Sequence, residues 1–352
     1  MTRSIRLAIV DDALFIREGL KRLLSGQANI TVVGTAASGE ELLENLDAWR
    51  PDVVTLDLNM PGMGGLATLE KLMTSHPLPV IVLSTHSGAG APMTVEALAR
   101  GAVDFIDKEA YSLVDFEALR AVLVEKISGV AGRSRTLNAD AARPRLHRDA
   151  KLPLDAFDIL VIGASTGGPR AVESVLRALG DDVPCPVAVV QHMPPGFTRA
   201  FAERLDRALP LTVREAVEGD VLEAGAVYVA PGGRHMALHG QDGGARVALP
   251  EPTGTPLHTP SVDELFASAG RAFGERVLAV LLTGMGKDGA AGMDALRKGG
   301  AHTIAQSEET CVVFGMPRAA IEHGAAAEIL PLASIGPRLR ELLSGGEPHL
   351  EN

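Results

Sequence analysis

Apolar runs of strand length alternate with stretches of helical periodicity along nearly the whole chain, and the alternation breaks once near the middle. In the first third, runs at Ile5–Val10, Ile30–Ala36, Val53–Leu58, Val80–Ser84 and Val103–Ile106 predict strands. The segments between them, such as Ile16–Ser25 and Gly39–Asp47, carry apolar residues at helical spacing. Five β–α units of this kind predict a doubly wound α/β domain over residues 1–128. Residues 129–152 hold no periodicity, contain Gly129, Gly132 and Pro144, and gather arginines at 133, 135, 143, 145 and 148; they predict a flexible linker. The β–α pattern restarts at Phe157, giving a larger α/β domain over residues 153–345 and a polar, frayed tail at 346–352. Within it, short β-like runs at Thr212–Arg214, Ala226–Ala230, Met236–Leu238 and Arg246–Leu249 are broken by glycines, and Asp242-Gly243-Gly244 is a hairpin signal. An antiparallel hairpin on the edge of a mostly parallel sheet is the expected arrangement.

Composition adds exclusions. The chain has 352 residues, room for two cores, and 46% hydrophobic with 22% charged residues is ordinary globular usage. A formal net charge of −11 disfavours nucleic acid as a partner, because duplex binding wants a basic face. The two cysteines, Cys185 and Cys311, sit in apolar surroundings and predict buried thiols rather than a disulfide framework. No apolar stretch reaches membrane-span length and the start is too weakly apolar for a signal peptide, so the expectation is a cytoplasmic protein with no membrane insertion, a monomer by default.

Chemistry gathers at the carboxyl ends of the predicted strands, which in open parallel sheets is where sites form. In the first domain Asp11 and Asp12 follow the first strand and Asp57 the third. Three carboxylates there make an oxygen-rich cluster suited to Mg²⁺, although an aspartate pair at that place could also simply cap a helix. Ser84 ends the fourth strand, and Lys108 after the fifth supplies a cation for a modified aspartate. In the second domain Ser165, His192 and Asp288 each stand just past an apolar run. These are the three types of a Ser-His-Asp hydrolytic triad: His192 as base for Ser165, Asp288 orienting the imidazole. Taken singly, His192 could be a turn histidine and Asp288 a helix cap. Gly163-x-Ser165-x-Gly167 satisfies a nucleophile-elbow pattern, but the order Ser, His, Asp departs from α/β-hydrolases. Thr283-Gly284-Met285-Gly286 predicts an oxyanion turn with the Met285 amide as donor, and Thr166 a supporting role. His235 is the rival histidine, read as pocket-lining or structural.

These motifs carry a family resemblance. Residues 5–124 resemble a response-regulator receiver, a flavodoxin-like domain, with Asp57-Leu58-Asn59-Met60-Pro61-Gly62-Met63-Gly64-Gly65 as the post-acceptor loop. The resemblance implies Asp57 as phosphoacceptor, Asp11 and Asp12 as metal-side acids, Ser84 and Phe105 as the switch pair, and Lys108 as the family's lysine. Glu109 stands where receivers usually carry proline, which implies weaker or slower switching. Gly163-Ala164-Ser165-Thr166-Gly167-Gly168-Pro169, Gln191-His192-Met193-Pro194-Pro195-Gly196-Phe197-Thr198, Thr283-Gly284-Met285-Gly286-Lys287-Asp288-Gly289-Ala290 and Val313-Phe314-Gly315-Met316-Pro317-Arg318-Ala319-Ala320 resemble the motifs of the CheB family. That resemblance implies a phosphorylation-activated protein-glutamate methylesterase and protein-glutamine glutaminase. Its substrates would be chemoreceptor glutamyl esters and glutamines, its phosphodonor a chemotaxis histidine kinase, and its only cofactor Mg²⁺ at the receiver. Two other readings fare worse. A dinucleotide-binding loop at Gly163–Gly168 lacks the G-x-G-x-x-G spacing, and a DNA-binding output domain would be smaller, helical and basic.

Overall fold

The computed structural model describes residues 4–84, 90–108, 116–131, 157–241, 244–252 and 258–344. The chain divides into two compact units, Met1–Asn138 and Ala139–Asn352. Glu109, linker residues 132–152 and the tail 346–352 lie outside the described residues.

The first unit runs β1 (Ile5–Val10), α1 (Leu14–Leu24), β2 (Ile30–Ala36), α2 (Gly39–Trp49), β3 (Val53–Asp57), α3 (Gly64–Ser75), β4 (Val80–Ser84), α4 (Gly90–Ala99), β5 (Asp104–Asp107) and α5 (Phe116–Val130). The last helix thus continues two residues into the segment expected to be linker. The strands form one parallel sheet in the order β2-β1-β3-β4-β5. Every residue of β3 and β4 is buried, as strands covered on both faces require. Helix α2 starts with a reciprocal cap. Ser38 Oγ accepts from the Glu41 amide at 3.2 Å and the Glu41 carboxylate accepts from the Ala37 amide at 2.6 Å. Strand order reverses between β1 and β3, so Asp11, Asp12 and Asp57 flank the switch point.

The second unit runs β6 (Ile159–Ala164), α6 (Gly168–Leu179), β7 (Val187–Gln191), α7 (Phe197–Ala208), β8 (Thr212–Glu215), β9 (Ala226–Val229), β10 (Ala237–Gln241), β11 (Gly244–Ala248), α8 (Val262–Phe273), β12 (Val277–Leu281), α9 (Ala290–Lys298), β13 (His302–Gln306), α10 (Met316–Glu322), β14 (Glu328–Leu330) and α11 (Leu332–Leu343). Its seven-stranded sheet has the order β14-β13-β12-β6-β7-β9-β8, with every pair parallel. The antiparallel hairpin is present as β10–β11, but as a two-stranded sheet of its own rather than as an extension of the large one. It packs on α8: Leu238 and Val247 join the core that Phe266, Leu265 and Met293 form over the sheet, and Ser268 Oγ accepts from the Leu238 amide at 3.0 Å. Strands β8 and β9 extend the parallel sheet beyond β7. Here too the order reverses at the centre: β6 leads to β7 on one side, and the chain later returns to place β12 on the other.

The far edge is tied by charge. Glu328 on β14, 4% exposed, accepts from His302 Nε2 on β13 at 2.7 Å and from Arg338 of α11 through Nε and a terminal nitrogen at 3.0 Å. Burial alone would raise the carboxyl, but these two partners hold it below its ordinary 4.5. Glu328→Ala is therefore expected to cost about 3 kcal/mol in urea unfolding at pH 7, since it leaves His302 without its acceptor and the half-buried Arg338 guanidinium with only Glu341. Because the folded carboxyl is the stronger acid, its contribution is present above its ordinary value and lost as pH falls through the lowered one. The gap between wild type and variant should close in acid.

Candidate active site and phosphoacceptor pocket

In the second unit, strand register delivers the site. Ala164 of β6 pairs with Gln191 of β7, so Ser165 and His192 each stand one residue beyond paired positions. Leu281 of β12 pairs with Gly163 on the other side, and the Ser165 amide donates to Thr283 O at 3.0 Å. Ser165 therefore occupies the central loop at the switch point, between the His192 and Thr283–Asp288 loops. Gln191 Nε2 joins two of these loops by donating to Ser165 O at 2.9 Å, with His192 O at 3.3 Å. Thr283, 1% exposed, ties the third: its Oγ1 donates to Thr166 O at 3.0 Å and accepts from the Val313 amide at 3.0 Å. The loops also approach too closely for side chains. A Cβ on Gly284 would lie 2.9 Å from Ser165 Cβ, and one on Gly167, at φ +77°, would lie 2.5 Å from Val312 Cβ.

His192 and Asp288 meet through Nε2 and Oδ2 at 2.8 Å, with side chains 9% and 10% exposed. Asp288 is held on both oxygens. Oδ1 accepts from Ser261 Oγ at 2.9 Å and from the Asp263 and Gly289 amides at 3.0 Å; Oδ2 accepts from the Val262 amide at 2.7 Å as well as from His192. Burial works against ionisation here, yet the His192 contact and the amides prevail and hold the Asp288 carboxyl well below its ordinary range. Asp263 is pushed the other way by burial and by the neighbouring Asp288 charge, against the pull of the Gly292 amide. An ionised Asp288 fixes the imidazole tautomer: Nε2 carries the proton it donates, leaving Nδ1 with the lone pair. That Nδ1 is buried and has no hydrogen-bond partner among the described residues. The bond between Ser165 Oγ and His192 is thus not made in this structure. Such bonds are often long without substrate and tighten in the complex.

The Met285 amide has no acceptor among the described residues, and Thr166 is buried. His235 is 8% exposed with an unpartnered Nδ1, and makes no hydrogen bond to Ser165, His192 or Asp288. It follows β9, a strand of the parallel sheet. Two contributors were not foreseen. His258 stacks on His192, with ring centroids 4.2 Å apart and planes at 15°. Ser261 caps α8, accepting from the Glu264 amide while donating to Asp288. The Ser261-x-x-Glu264 spacing is a capping-box pattern that could have marked this helix start; no sequence periodicity announces His258.

In the first unit, carboxylate oxygens of Asp11, Asp12 and Asp57 lie within 4.8 Å of one another. Lys108 Nζ donates to Asp11 at 2.7 Å and to Asp57 at 2.9 Å. Burial and the Asp11 charge raise the Asp57 carboxyl despite Lys108, while the two carboxylates hold the Lys108 ammonium up against its own burial. Such close oxygens, with fewer positive than negative charges, fit a hard divalent cation. The Ser84 hydroxyl contacts Thr94 Oγ1, which donates to Gly90 O at 2.8 Å, and Phe105 is buried. Gly65 lets α3 close onto the loop that follows β3, since a Cβ there would lie 2.3 Å from Asp57 O. A carboxyl raised on folding opposes the native state above its ordinary value, so Asp57→Asn is expected to raise the thermal unfolding midpoint of the unit that carries it at pH 7 by a few degrees. Mg²⁺ should do the same for wild type and less for the variant.

Both units match known protein families. Residues 7–120 match the response regulator receiver domain, and residues 160–339 match the CheB methylesterase model. A protein-glutamate methylesterase/protein-glutamine glutaminase of Symbiobacterium thermophilum is 44% identical over 361 residues, covering 98% of each chain. One of Myxococcus xanthus is 44% identical over 343 residues, covering 96% of this chain and 97% of that one. The crystal structure of the Thermotoga maritima CheB methylesterase catalytic domain is similar at 44% identity and a TM-score of 0.52, covering 53% of this chain and 98% of that one. The protein is thus a response regulator whose output is a carboxylic ester hydrolase. It belongs to the CheB methylesterase family.

Proposed function

We propose that this chain removes methyl groups from glutamate γ-methyl esters of chemoreceptors, releasing methanol, and deamidates receptor glutamines, in service of sensory adaptation. The reading rests above all on the pairing of His192 with an ionised Asp288 beside Ser165 at the switch point of the sheet. Ser165 Oγ attacks the γ-carbonyl as its proton passes to His192 Nδ1, and the Met285 amide, with Thr166 in support, receives the developing oxyanion. Collapse breaks the C–O bond to the methoxy group, which leaves with the proton from His192 as methanol. Water, deprotonated by the same nitrogen, then attacks the acyl-enzyme and releases glutamate and free Ser165. A glutamine follows the same path with ammonia as leaving group.

Asp57 is the phosphoacceptor in this reading, with Lys108, Ser84 and Phe105 as its switch residues and a histidine kinase as donor. Asp11, Asp12 and Asp57 would hold Mg²⁺, which when bound supplies charge neutralisation for the incoming phosphoryl group. Phosphorylation shifts the chain from a restrained to an active population. The setting is the cytoplasm and the protein acts as a monomer; among the described residues no helix is long and apolar enough to cross a membrane.

The test is methanol release from methylated receptor membranes, with and without a small phosphodonor plus Mg²⁺, alongside labelling by a fluorophosphonate. Release, stimulation by the donor, loss of stimulation in Asp57→Asn and label on Ser165 are expected. Release without label on Ser165 would overturn the nucleophile, and release indifferent to the donor would overturn the switch.

A further inference from the structure

We propose that His258 is a positioning residue for His192, a flat platform that sets the plane of the base. The inference rests on the triad reading above. The Cβ–Cγ bond and a single hydrogen bond, Nε2 to Asp288 at 2.8 Å, hold two points of the His192 ring and leave it free to rotate about the line between them. The bond alone does not aim Nδ1, the atom that must meet the Ser165 hydroxyl. A second ring lying face to face, 4.2 Å away and 15° from parallel, removes that freedom, because rotation of His192 would drive its edge into the stacked face. One hydrogen bond locates the ring; the stack orients it.

The surroundings of His258 strengthen the case. Three residues further on, Ser261 Oγ and then the Val262 and Asp263 amides hold both oxygens of Asp288. One short segment, residues 258–263, therefore fixes the acid with one end and the plane of the base with the other. The edge of His258 faces the oxyanion turn, with Nε2 4.0 Å from where a Cβ on Gly286 would stand. A displaced platform would thus disturb the relation between base and nucleophile, while the acid kept its hydrogen bonds.

The test measures methanol release by the full chain, activated by phosphodonor and Mg²⁺, on methylated receptor membranes. Misaiming a base by about an ångström costs on the order of 100-fold, so His258→Ala is expected to lower kcat by about 10- to 100-fold with KM changed by less than about 2-fold. His258→Phe restores a flat face and should return kcat to within about 5-fold of wild type. His258→Gln, similar in size and polarity but without a ring, should behave like the alanine variant, and it decides the matter if the alanine variant loses its cooperative unfolding. Wild-type kcat in His258→Gln, or a phenylalanine variant that unfolds like wild type yet is as slow as the glutamine one, would overturn the platform. Ser165→Ala measured alongside separates the two levels: activity surviving there would sink the triad itself, whereas an inactive Ser165→Ala beside a fully active His258→Gln would sink only the platform.

Discussion

Ser165→Ala is expected to lower kcat for receptor ester hydrolysis by about 10⁴- to 10⁶-fold, the range that follows loss of a nucleophile from a working triad. The same change should leave stability nearly untouched. The half-buried Ser165 hydroxyl makes no hydrogen bond among the described residues, and its backbone contacts to Thr283, Gly168 and Gln191 survive in alanine. A surface-like ΔΔG within about 0.5 kcal/mol should therefore accompany a collapse in rate. Single-turnover methanol release and urea unfolding on the same preparation read both. A slow but unfolded variant would remove the basis for calling Ser165 the nucleophile.

Asp288→Asn should harm both quantities. Losing the negative charge removes the group that fixes the His192 tautomer and stabilises the imidazolium formed during attack, a change costing about 10⁴-fold in kcat where the same role has been tested. Stability falls as well, because both Asp288 oxygens accept from N–H or O–H donors, three of them backbone amides. An asparagine can satisfy only one side; its NH₂ must face donors on the other. Leaving one or two buried amides unpaired costs about 2–4 kcal/mol, to be read as a shift in the urea midpoint at pH 7. The sign with pH follows from the depressed carboxyl. The wild-type advantage is complete above its ordinary 3.8 and is lost as pH falls through the lowered folded value. Unfolding curves that differ equally at pH 7 and in strong acid would contradict this account.

How far the sequence alone could lead depended on which forces shaped each part. Strands β1, β2 and β4 match the expected runs residue for residue, and β3 and β5 differ by a single position at their ends. A strand buried on both faces must be apolar along its length, so its signature is continuous. The three loops carrying Ser165, His192 and Asp288 were legible for the same reason: each follows such a run directly. Direction was harder to read. Thr212–Glu215 and Ala226–Val229 are too short to reveal whether they run with or against their neighbours, and they proved parallel. The hairpin was visible in its turn but not in its partner, because its place on α8 depends on contacts from Leu238 and Ser268 that no local spacing encodes. His258 was silent for a related reason. Its significance lies in a ring 66 positions earlier in the chain, and only the folded sheet brings the two together.

The way Asp288 is held also says which substitutions the site can absorb over time. Three of its five donors are main-chain N–H groups, at Val262, Asp263 and Gly289. A peptide N–H is supplied by any residue but proline, so positions 262 and 263 are open to drift as far as anchoring the acid is concerned. Gly289 is not, since its φ of +87° and the 2.7 Å from its would-be Cβ to Leu281 admit no side chain. Ser261 is the one anchoring side chain besides His192, and only a hydroxyl can both cap α8 and reach the carboxylate. Laboratory libraries across 258–263 should therefore return active clones nearly confined to serine and threonine at 261 and free of proline at 262 and 263, with the buried Val262 kept apolar and Asp263 held by its bond from the Gly292 amide.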